Sequence, residues 1–388
     1  MQPAAELQRD LVLVGGGHSH VLAVRMLGMR PLAGLRITLV SPASHSPYSG
    51  MLPGLVAGHY RFEQAHIDLA RLCQWAGVRF VEAEVTALDP AMRRLTLAGR
   101  PALHYDVASI DIGSQPELDT VPGARRYATP VKPVAGLWQR WQALYGRVAG
   151  RVAPDRVTPD RVTPDRVTPD RVAGEDCRIA VVGGGAGSVE LVLAMANRLQ
   201  DTLVHFDLWC AADTILPGYN ARARQSVMAA LGQRGIRVHL NARVAAVESR
   251  HLILSDGAHA AYDELFWCTG AVPAPWIAAS GLATDQQGFL AVRDTLQATH
   301  DDCVFAAGDI AVQVNHPRPK AGVFAVRQGP VLAHNLRALL LDQPLRQHRP
   351  QRRFLSLISL GAERATAEKG AFSATGRWVW RWKDAIDR

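Results

Sequence analysis

The stretch Leu11-Val-Leu-Val-Gly-Gly-Gly-His-Ser-His20 decides the fold of this chain. Its apolar run predicts a buried β-strand, its glycines predict a tight turn, and the residues after them favour the start of a helix. The same pattern returns as Ile179-Ala-Val-Val-Gly-Gly-Gly-Ala-Gly-Ser-Val-Glu190. One glycine-rich turn is common. Two in one chain, joined later by Val304-Phe-Ala-Ala-Gly-Asp309, predict a protein that holds two dinucleotides.

The glycines of each copy suit a strand–turn–helix site for a dinucleotide. The first glycine permits the tight turn, the second lets the backbone approach the pyrophosphate, and the helix N-terminus attracts its negative charge. Gly15 and Gly17 fill these positions in the first copy, and Gly183 and Gly185 fill them in the second. We therefore expect both turns to bind a nucleotide.

Both copies depart from the usual dinucleotide pattern in two ways. The third glycine, which allows close packing of helix on strand, is replaced by His20 and by Ser188. The acidic residue that usually binds the ribose is replaced by Ser41 in the first copy, and by Cys210 or Ala211 in the second. Serine still forms hydrogen bonds. The second copy carries neither an acid that marks NAD nor an arginine that marks NADP, so the nucleotide preference stays open.

Composition narrows the class of protein. A chain of 388 residues predicts more than one domain, and no apolar run reaches the ~18 residues that span a bilayer. The N-terminus shows no signal pattern, so we expect a cytoplasmic protein. The five cysteines form no C-x-x-C pair, so no metal site is expected. A net charge of +8 without a nucleic-acid-binding motif does not predict a nucleic-acid partner.

The end of the chain is basic and aromatic. Basic residues outnumber acidic ones from Arg346 to Arg388, and Trp378-Val-Trp-Arg-Trp-Lys383 is one of the densest parts. Such a segment is typical of contact with an acidic membrane surface, so peripheral attachment to the inner face of the membrane is one hypothesis. The other is an aromatic cap that packs on the first nucleotide-binding domain.

A five-residue repeat interrupts the pattern of strands and helices. The unit Arg-Val-Thr-Pro-Asp recurs between residues 156 and 170, and a proline in every unit excludes a helix. We expect an extended or disordered insertion there. The segment 41–60, rich in Pro, Gly, Ser and His, is expected to be a functional loop.

The fold class is therefore α/β, with two Rossmann-like domains, the second inserted in the first, and a small C-terminal α+β cap. The expected boundaries are 1–146 and 285–345 for the first domain, 147–176 for the insertion, 177–284 for the second domain, and 346–388 for the cap.

Several further motifs accompany the glycine turns. They are Pro47-Tyr-Ser-Gly-Met-Leu-Pro53 with Ala57-Gly58, Asp111-Ile-Gly-Ser114, Thr269-Gly270 with Pro273, and Gly308-Asp309. Together they resemble the FAD-dependent pyridine nucleotide-disulfide oxidoreductase family, in its type II NADH dehydrogenase-like branch. The Gly-Gly-Gly-His-Ser-His form, Ser49-Gly-Met-Leu-Pro-Gly54 and the Trp-rich ending are similar to a subgroup fused to, or encoded with, selenide, water dikinase (selenophosphate synthetase).

The resemblance implies FAD in the first domain and NAD(P)H in the second, with a hydride passing from NAD(P)H to FAD and electrons then reaching a second acceptor. The implied FAD residues are Gly15, Gly17, His18, Ser19, Ser41, Met51, Val85, Gly113, Gly308, Asp309, Val323 and Phe324. The implied NAD(P) residues are Gly183, Gly185, Ala186, Glu190 and Gly270.

The candidate catalytic residues are Glu190, His45, Tyr48 and Lys320. Glu190 is expected near the nicotinamide, where a carboxylate can orient the amide. His45 and Tyr48 belong to the loop expected to approach the flavin, and Lys320 begins the stretch expected to face the flavin pyrimidine. His18 and His20 are expected at the pyrophosphate instead, where they are not catalytic.

No residue of the sequence identifies the second electron acceptor. The family's disulfide branch carries a cysteine pair near the flavin, but the segment 49–70 contains no cysteine. The resemblance implies a quinone-like acceptor or, through the selenophosphate context, a selenium or sulfur species, with selenophosphate synthetase as a candidate partner. The alternative is a non-catalytic flavoprotein that serves as a redox-sensing or partner-binding scaffold. The oligomeric state is not predicted.

Overall fold

The computed structural model describes residues 9–149 and 176–388. Most of the expected insertion, 147–176, lies outside the described residues. The chain forms two compact units. The first comprises residues up to 50, 62–115 and 271–354, and the second comprises 51–61, 116–270 and 355–388.

The first unit combines a five-stranded parallel sheet with helices and several smaller sheets. Its elements are β1 (Arg9–Val14), α1 (His18–Met29), β2 (Leu35–Ser41), β3 (His45–Pro47), α3 (Phe62–Ala65), β4 (His66–Asp68), α4 (Leu69–Ala76), β5 (Arg79–Glu82), β6 (Val85–Asp89), β7 (Arg94–Leu97), β8 (Arg100–His104), β9 (Val107–Ile110), α9 (Pro275–Ala279), β18 (Leu290–Val292), β19 (Val304–Ala306), a 3₁₀ helix (Gly308–Ile310), β20 (Ala311–Gln313) and α10 (Gly322–Leu340). The strand order of the parallel sheet is β19-β9-β1-β2-β5.

The second unit repeats this plan. Its elements are α2 (Leu52–Val56), α5 (Ala124–Tyr127), β10 (Thr129–Pro130), α6 (Val134–Val148), β11 (Cys177–Val182), α7 (Ala186–Arg198), β12 (Val204–Trp209), α8 (Ala221–Gln233), β13 (Arg237–His239), β14 (Val244–Val247), β15 (His251–Leu254), β16 (His259–Ala261), β17 (Glu264–Trp267), β21 (Ser356–Ser359), β22 (Ala365–Lys369), β23 (Phe372–Gly376) and α11 (Arg377–Asp387). The strand order of its parallel sheet is β10-β17-β11-β12-β13.

The strand that precedes each glycine turn is the centre of its sheet and is buried on both faces. In β1, Leu11 and Leu13 enter one apolar cluster, whereas Val12 and Val14 enter another. Successive side chains of a strand point to opposite faces, so an uninterrupted apolar run suits a strand covered on both sides. The α/β prediction with two parallel-sheet domains is confirmed.

The structure differs from the expected outline in two places. The segment 41–60 is not a plain loop, because it contains β3 and α2. The compact units also divide at other points than the expected boundaries. Residues 116–146 belong to the second unit because α6 buries Leu137, Trp141 and Leu144 in the core of that unit. In the described part of the chain, no helix is long and apolar enough to cross a membrane.

Candidate functional site

The turn after β1 is held against the ends of its two neighbouring strands. The Gly15 N–H donates to the Val40 carbonyl at 2.7 Å, and the Gly17 N–H donates to the Asp111 carbonyl at 3.1 Å. Gly15 has a φ of 95°, and a methyl group there would collide with the backbone of Asp111. Only glycine fits this position without strain. The turn therefore presents its backbone at the N-terminus of α1, as a pyrophosphate site requires.

His20, which replaces the third glycine, is fully buried and bridges the turn to β9. Its ring Nδ1 lies 2.7 Å from the Gly15 carbonyl oxygen, and its Nε2 lies 2.8 Å from the Ser109 hydroxyl. A carbonyl only accepts, so Nδ1 carries the hydrogen and Nε2 accepts from Ser109. Burial lowers the pKa of His20 to about 4 despite the bond to Gly15, so the ring is neutral. His20 thus supports the turn.

Ser19 and the first turn of α1 connect to the long helix α10. The buried Ser19 hydroxyl donates to the Ala325 carbonyl at 2.7 Å. The two helices also approach closely at Gly329, where a methyl group would lie 2.8 Å from the Leu22 Cβ. The first turn of α10 contains Val323 and Phe324, and the Phe324 ring packs edge-on against Phe354.

A small cleft lies beside the Gly308-Asp309 motif. The Gly308 N–H donates to the buried Gln328 side chain at 2.7 Å, and Gly308 has a φ of 71°. Lys320 also lines the cleft. Its ammonium group donates to the Ala311 carbonyl at 2.9 Å and lies 3.8 Å from the centre of the Phe289 ring. Burial lowers the pKa of Lys320, whereas the carboxylates that face it, first Asp309, oppose that shift.

The two candidate catalytic residues of the segment after β2, His45 and Tyr48, contact different aromatic partners. Tyr48 packs edge-on against His18, with ring centres 4.8 Å apart. His45 instead faces Phe62, at 5.6 Å between ring centres. A methyl group at Gly322, the first residue of α10, would lie 3.6 Å from the Ser49 hydroxyl. The residue after Tyr48 therefore lies beside the start of α10.

The remaining predicted FAD residues are spread over the chain. Ser41 is buried at the end of β2, and Val85 is buried at the start of β6. Gly113 has a φ of 72° and open space where a side chain would stand. Met51 is buried, and it belongs to the second unit rather than the first.

The second glycine turn follows β11 and leaves an open approach to α7. The Gly183 N–H donates to the Trp209 carbonyl at 2.8 Å. A methyl group at Gly185 or Gly187 would meet no atom within 4 Å, and Ala186 begins α7 between them. The backbone is therefore accessible at the end of the helix that attracts anions.

Cys210 occupies the position where a ribose-binding acid was expected in the second unit. Its side chain is buried, and a methyl group at Gly184 would collide with its sulfur. The sulfur also faces the Thr214 carbonyl at 3.4 Å. Cys210 therefore fills the space beneath the turn, while Ala211 is exposed. Gly270 has a φ of 66°, and a methyl group there would lie 2.6 Å from the Glu117 Cβ.

Glu190 on α7 contacts the C-terminal segment of the second unit, residues 355–388. Its carboxylate accepts the Ser359 N–H at 2.7 Å. Burial raises the pKa of Glu190 to about 7, although the charge of Lys383 and the Ser359 hydrogen bond favour the carboxylate. The partner could not be inferred from sequence, because the two residues are 169 positions apart. The expected role of Glu190 beside the nicotinamide stays a prediction.

Cys73, Cys210, Cys268 and Cys303 are free thiols. Burial raises the pKa of Cys73 to about 11 and also raises the pKa of Cys268, so neither is an activated thiolate at neutral pH.

Two polar side chains at the first turn and its cleft, those of Asp111 and Gln328, were not among the predicted site residues. The Asp111 motif was noted, but only the fold reveals that its carboxyl group lies beneath Gly17 and Gly308.

The residues present fit FAD and a second dinucleotide. The glycine turns, the open space at Gly113 and the uncapped start of α10 leave backbone donors where phosphates and a flavin are expected.

Several known proteins are similar to this chain in sequence. Type II NADH:quinone oxidoreductase of Haemophilus influenzae is 30% identical over 187 residues, 43% of this chain and 41% of that protein. Demethylphylloquinone reductase NdbB of Synechocystis is 24% identical over 369 residues, 91% of this chain and 85% of that protein. The chain thus spans about two fifths of the length of the Haemophilus relative, and 56% of that of a mycobacterial NADH dehydrogenase-like protein.

Solved structures share the fold at low sequence identity. Plasmodium falciparum NDH2 in complex with NADH superimposes with a TM-score of 0.76 at 13% identity, covering 98% of this chain and 97% of that one. The sulfide:quinone oxidoreductase of Aquifex aeolicus gives 0.72 at 18% identity, covering 98% and 90%. The pyridine nucleotide-disulphide oxidoreductase family, whose members use FAD and NAD(P)H, matches residues 9–329. The chain belongs to this family.

Proposed function

We propose that this protein is an FAD-dependent NAD(P)H oxidoreductase that delivers electrons to a quinone-like acceptor without a redox-active disulfide. The observation that carries the proposal is the doubled plan of the fold. Each unit has a central parallel strand, a glycine turn and a helix N-terminus, and the first unit adds the Gly308-Asp309 cleft. This arrangement suits two dinucleotides with different tasks.

The first unit would hold FAD through its own backbone and a few side chains. The turn from Gly15 to Gly17 and the N-terminus of α1 would bind the pyrophosphate, and Asp309 would bind the ribityl chain. The first turn of α10 would direct N–H groups at the flavin edge. When bound, FAD supplies the chemistry of accepting a hydride and passing on its electrons.

The second unit would bind NAD(P)H at the open turn before α7. Gly185 and Ala186 would contact the pyrophosphate through their backbone. Because Cys210 replaces the ribose-binding acid, this unit lacks the residue that usually selects NADH over NADPH. Glu190 would orient the nicotinamide amide.

The acceptor is proposed from the relatives and from the lack of a cysteine in the segment 49–70. Quinone reductases recur among the relatives of similar sequence and fold. A selenium or sulfur species, with selenophosphate synthetase as partner, is the second candidate acceptor and rests on the resemblance of the glycine-turn motifs alone. Steady-state oxidation of NADH and NADPH against a soluble quinone, polysulfide and polyselenide separates them. The proposal expects turnover with quinone, and turnover with only polyselenide or polysulfide contradicts it.

We also propose that α11 contacts an anionic membrane surface, where quinones are found. Trp378, Trp382 and Ile386 lie on one helical face at intervals of four residues, and their side chains are exposed. The first two rings stack at 6.4 Å between centres. Val379 on the other face is buried against the adjacent sheet. An exposed aromatic stripe beside arginines suits a lipid headgroup region.

A further inference from the structure

The buried carboxyl group of Asp111, just past the end of β9, is the point where the nucleotide-binding segments of the first unit meet. A methyl group at Gly17 would collide with this carboxyl group, and so would a methyl group at Gly308. The turn after β1 and the Gly308-Asp309 turn are therefore both in direct contact with one acidic side chain. The proposed function assigns that side chain no task.

Asp111 occupies the N–H groups of the helix that should bind pyrophosphate. The His20 N–H donates to its carboxylate oxygen Oδ2 at 3.1 Å, and the Ser19 N–H also favours the carboxylate form. Both donors belong to the first turn of α1, where unpaired N–H groups attract anions. In this chain a carboxyl group is already positioned there.

The groups that face Asp111 do not neutralise a negative charge. From α1 they are Ser19 and the neutral His20, whose ring is directed to Gly15 and Ser109. From the 3₁₀ helix it is Asp309, a second acid. From α10 the uncharged Gln328 accepts the Gly308 N–H.

The pKa of Asp111 is correspondingly raised. Burial raises its pKa to about 7, the hydrogen bonds from His20 and Ser19 oppose this shift, and the charge of Asp309 adds to it. At neutral pH the carboxyl group is therefore close to its midpoint before any ligand binds.

We propose that Asp111 carries a proton whenever FAD is bound, so that FAD binding near neutral pH takes up one proton from solvent. The inference rests on the proposed FAD site in the first unit. A pyrophosphate brings two negative charges to the turn above Asp111, and like charges at short range favour the neutral acid. The protonated carboxyl group also gains an O–H donor that the carboxylate lacks.

The consequence is a pH-dependent affinity with a definite sign. The free protein loses the Asp111 proton as the pH rises through about 7, whereas the complex retains it to higher pH. The dissociation constant for FAD should then rise about tenfold per pH unit above that point, because each binding event must restore the proton. Below it the affinity should be constant.

The test dilutes the holoprotein and measures released FAD by its fluorescence between about pH 6 and about pH 9. Asp111→Asn keeps the neutral form, so its dissociation constant should be nearly constant over this range. Asp106→Asn is the matched control, because it lies before the opposite end of β9, where its side chain binds the Asp10 N–H. This control should retain the wild-type slope.

Parallel curves for wild type and Asp111→Asn would overturn the inference, as would a flat wild-type curve. If Asp111→Asn does not fold, proton release by the wild type decides the matter. Near pH 8, in weak buffer with an indicator dye, each released FAD should liberate about one proton. Release of none refutes the inference. A wild-type protein that binds no FAD at any pH refutes the proposed function itself.

Discussion

The Nε2 atom of His20 and the hydroxyl of Ser109 are joined by a 2.8 Å hydrogen bond in the core of the first unit. The bond joins helix to sheet at the position where the third glycine of the usual pattern permits close packing. A large residue is accepted at this position because its ring atoms are satisfied on both sides, by Gly15 and by Ser109.

Ser109→Ala should destabilise the first unit, because it leaves the buried His20 Nε2 without a donor. The expected loss in the free energy of unfolding is about 1–3 kcal/mol, measured by denaturant unfolding of the holoprotein. Ser255→Ala is the control, because that hydroxyl donates to the Arg243 carbonyl at an exposed position. It should change stability by less than about 0.5 kcal/mol. Equal effects of the two variants would show that the bridge does not stabilise the turn.

Glu190→Gln should change how the stability of the protein depends on pH. The folded-state pKa of Glu190 is raised from its usual 4.5 to about 7, so the folded state binds the extra proton between these values. Stability contributed by this group is therefore lost as the pH rises through that window. The melting temperature of Glu190→Gln relative to wild type should increase from about pH 4.5 to about pH 7 and then level off. A constant difference would contradict the raised pKa.

Lys320→Gln should slow reduction of the bound flavin by NAD(P)H about 10–100-fold, because it removes the cation that faces the cleft where negative charge would develop on the proposed flavin. FAD should remain bound, and the midpoint potential of the flavin should fall. The control is Arg36→Gln, which removes an exposed cation paired with Asp10 near the start of β1. If Lys320→Gln lowers stability but leaves rate and potential unchanged, Lys320 only tethers the Ala311 carbonyl.

Replacing both Trp378 and Trp382 by Glu should abolish sedimentation with anionic liposomes at low salt. The substitutions add negative charge to the exposed face of α11 and remove its aromatic stripe. Trp75→Glu is the matched control, because that tryptophan is 59% exposed in the first unit. It should sediment like wild type. Failure of the wild-type protein to sediment at either low or high salt would refute the membrane proposal.

The local parts of the fold could be predicted from the sequence. The apolar runs and glycines predicted β1, α1 and β11 to within a few residues, because strand and turn preferences are local. The polar contacts of the site could not be predicted in this way. Asp111 meets Gly308, and Glu190 meets Ser359, only after distant segments of the chain pack together.

The unit boundaries were also difficult to predict, for a related reason. Helix α6 is amphipathic, and an amphipathic pattern does not specify which sheet the apolar face covers. Its side chains Leu137 and Trp141 are buried with those of α7, and this packing assigns the helix to the second unit. Only the tertiary contacts decide that choice.

The most direct test of the proposed function mixes the holoprotein anaerobically with excess NADH, and separately with NADPH, and follows the visible absorbance of oxidised flavin. The proposal predicts that at least one nucleotide bleaches this band within a single turnover, and that a soluble quinone then restores it. If neither nucleotide bleaches the flavin, the protein is not an NAD(P)H oxidoreductase, and the role of a non-catalytic flavoprotein scaffold is supported instead.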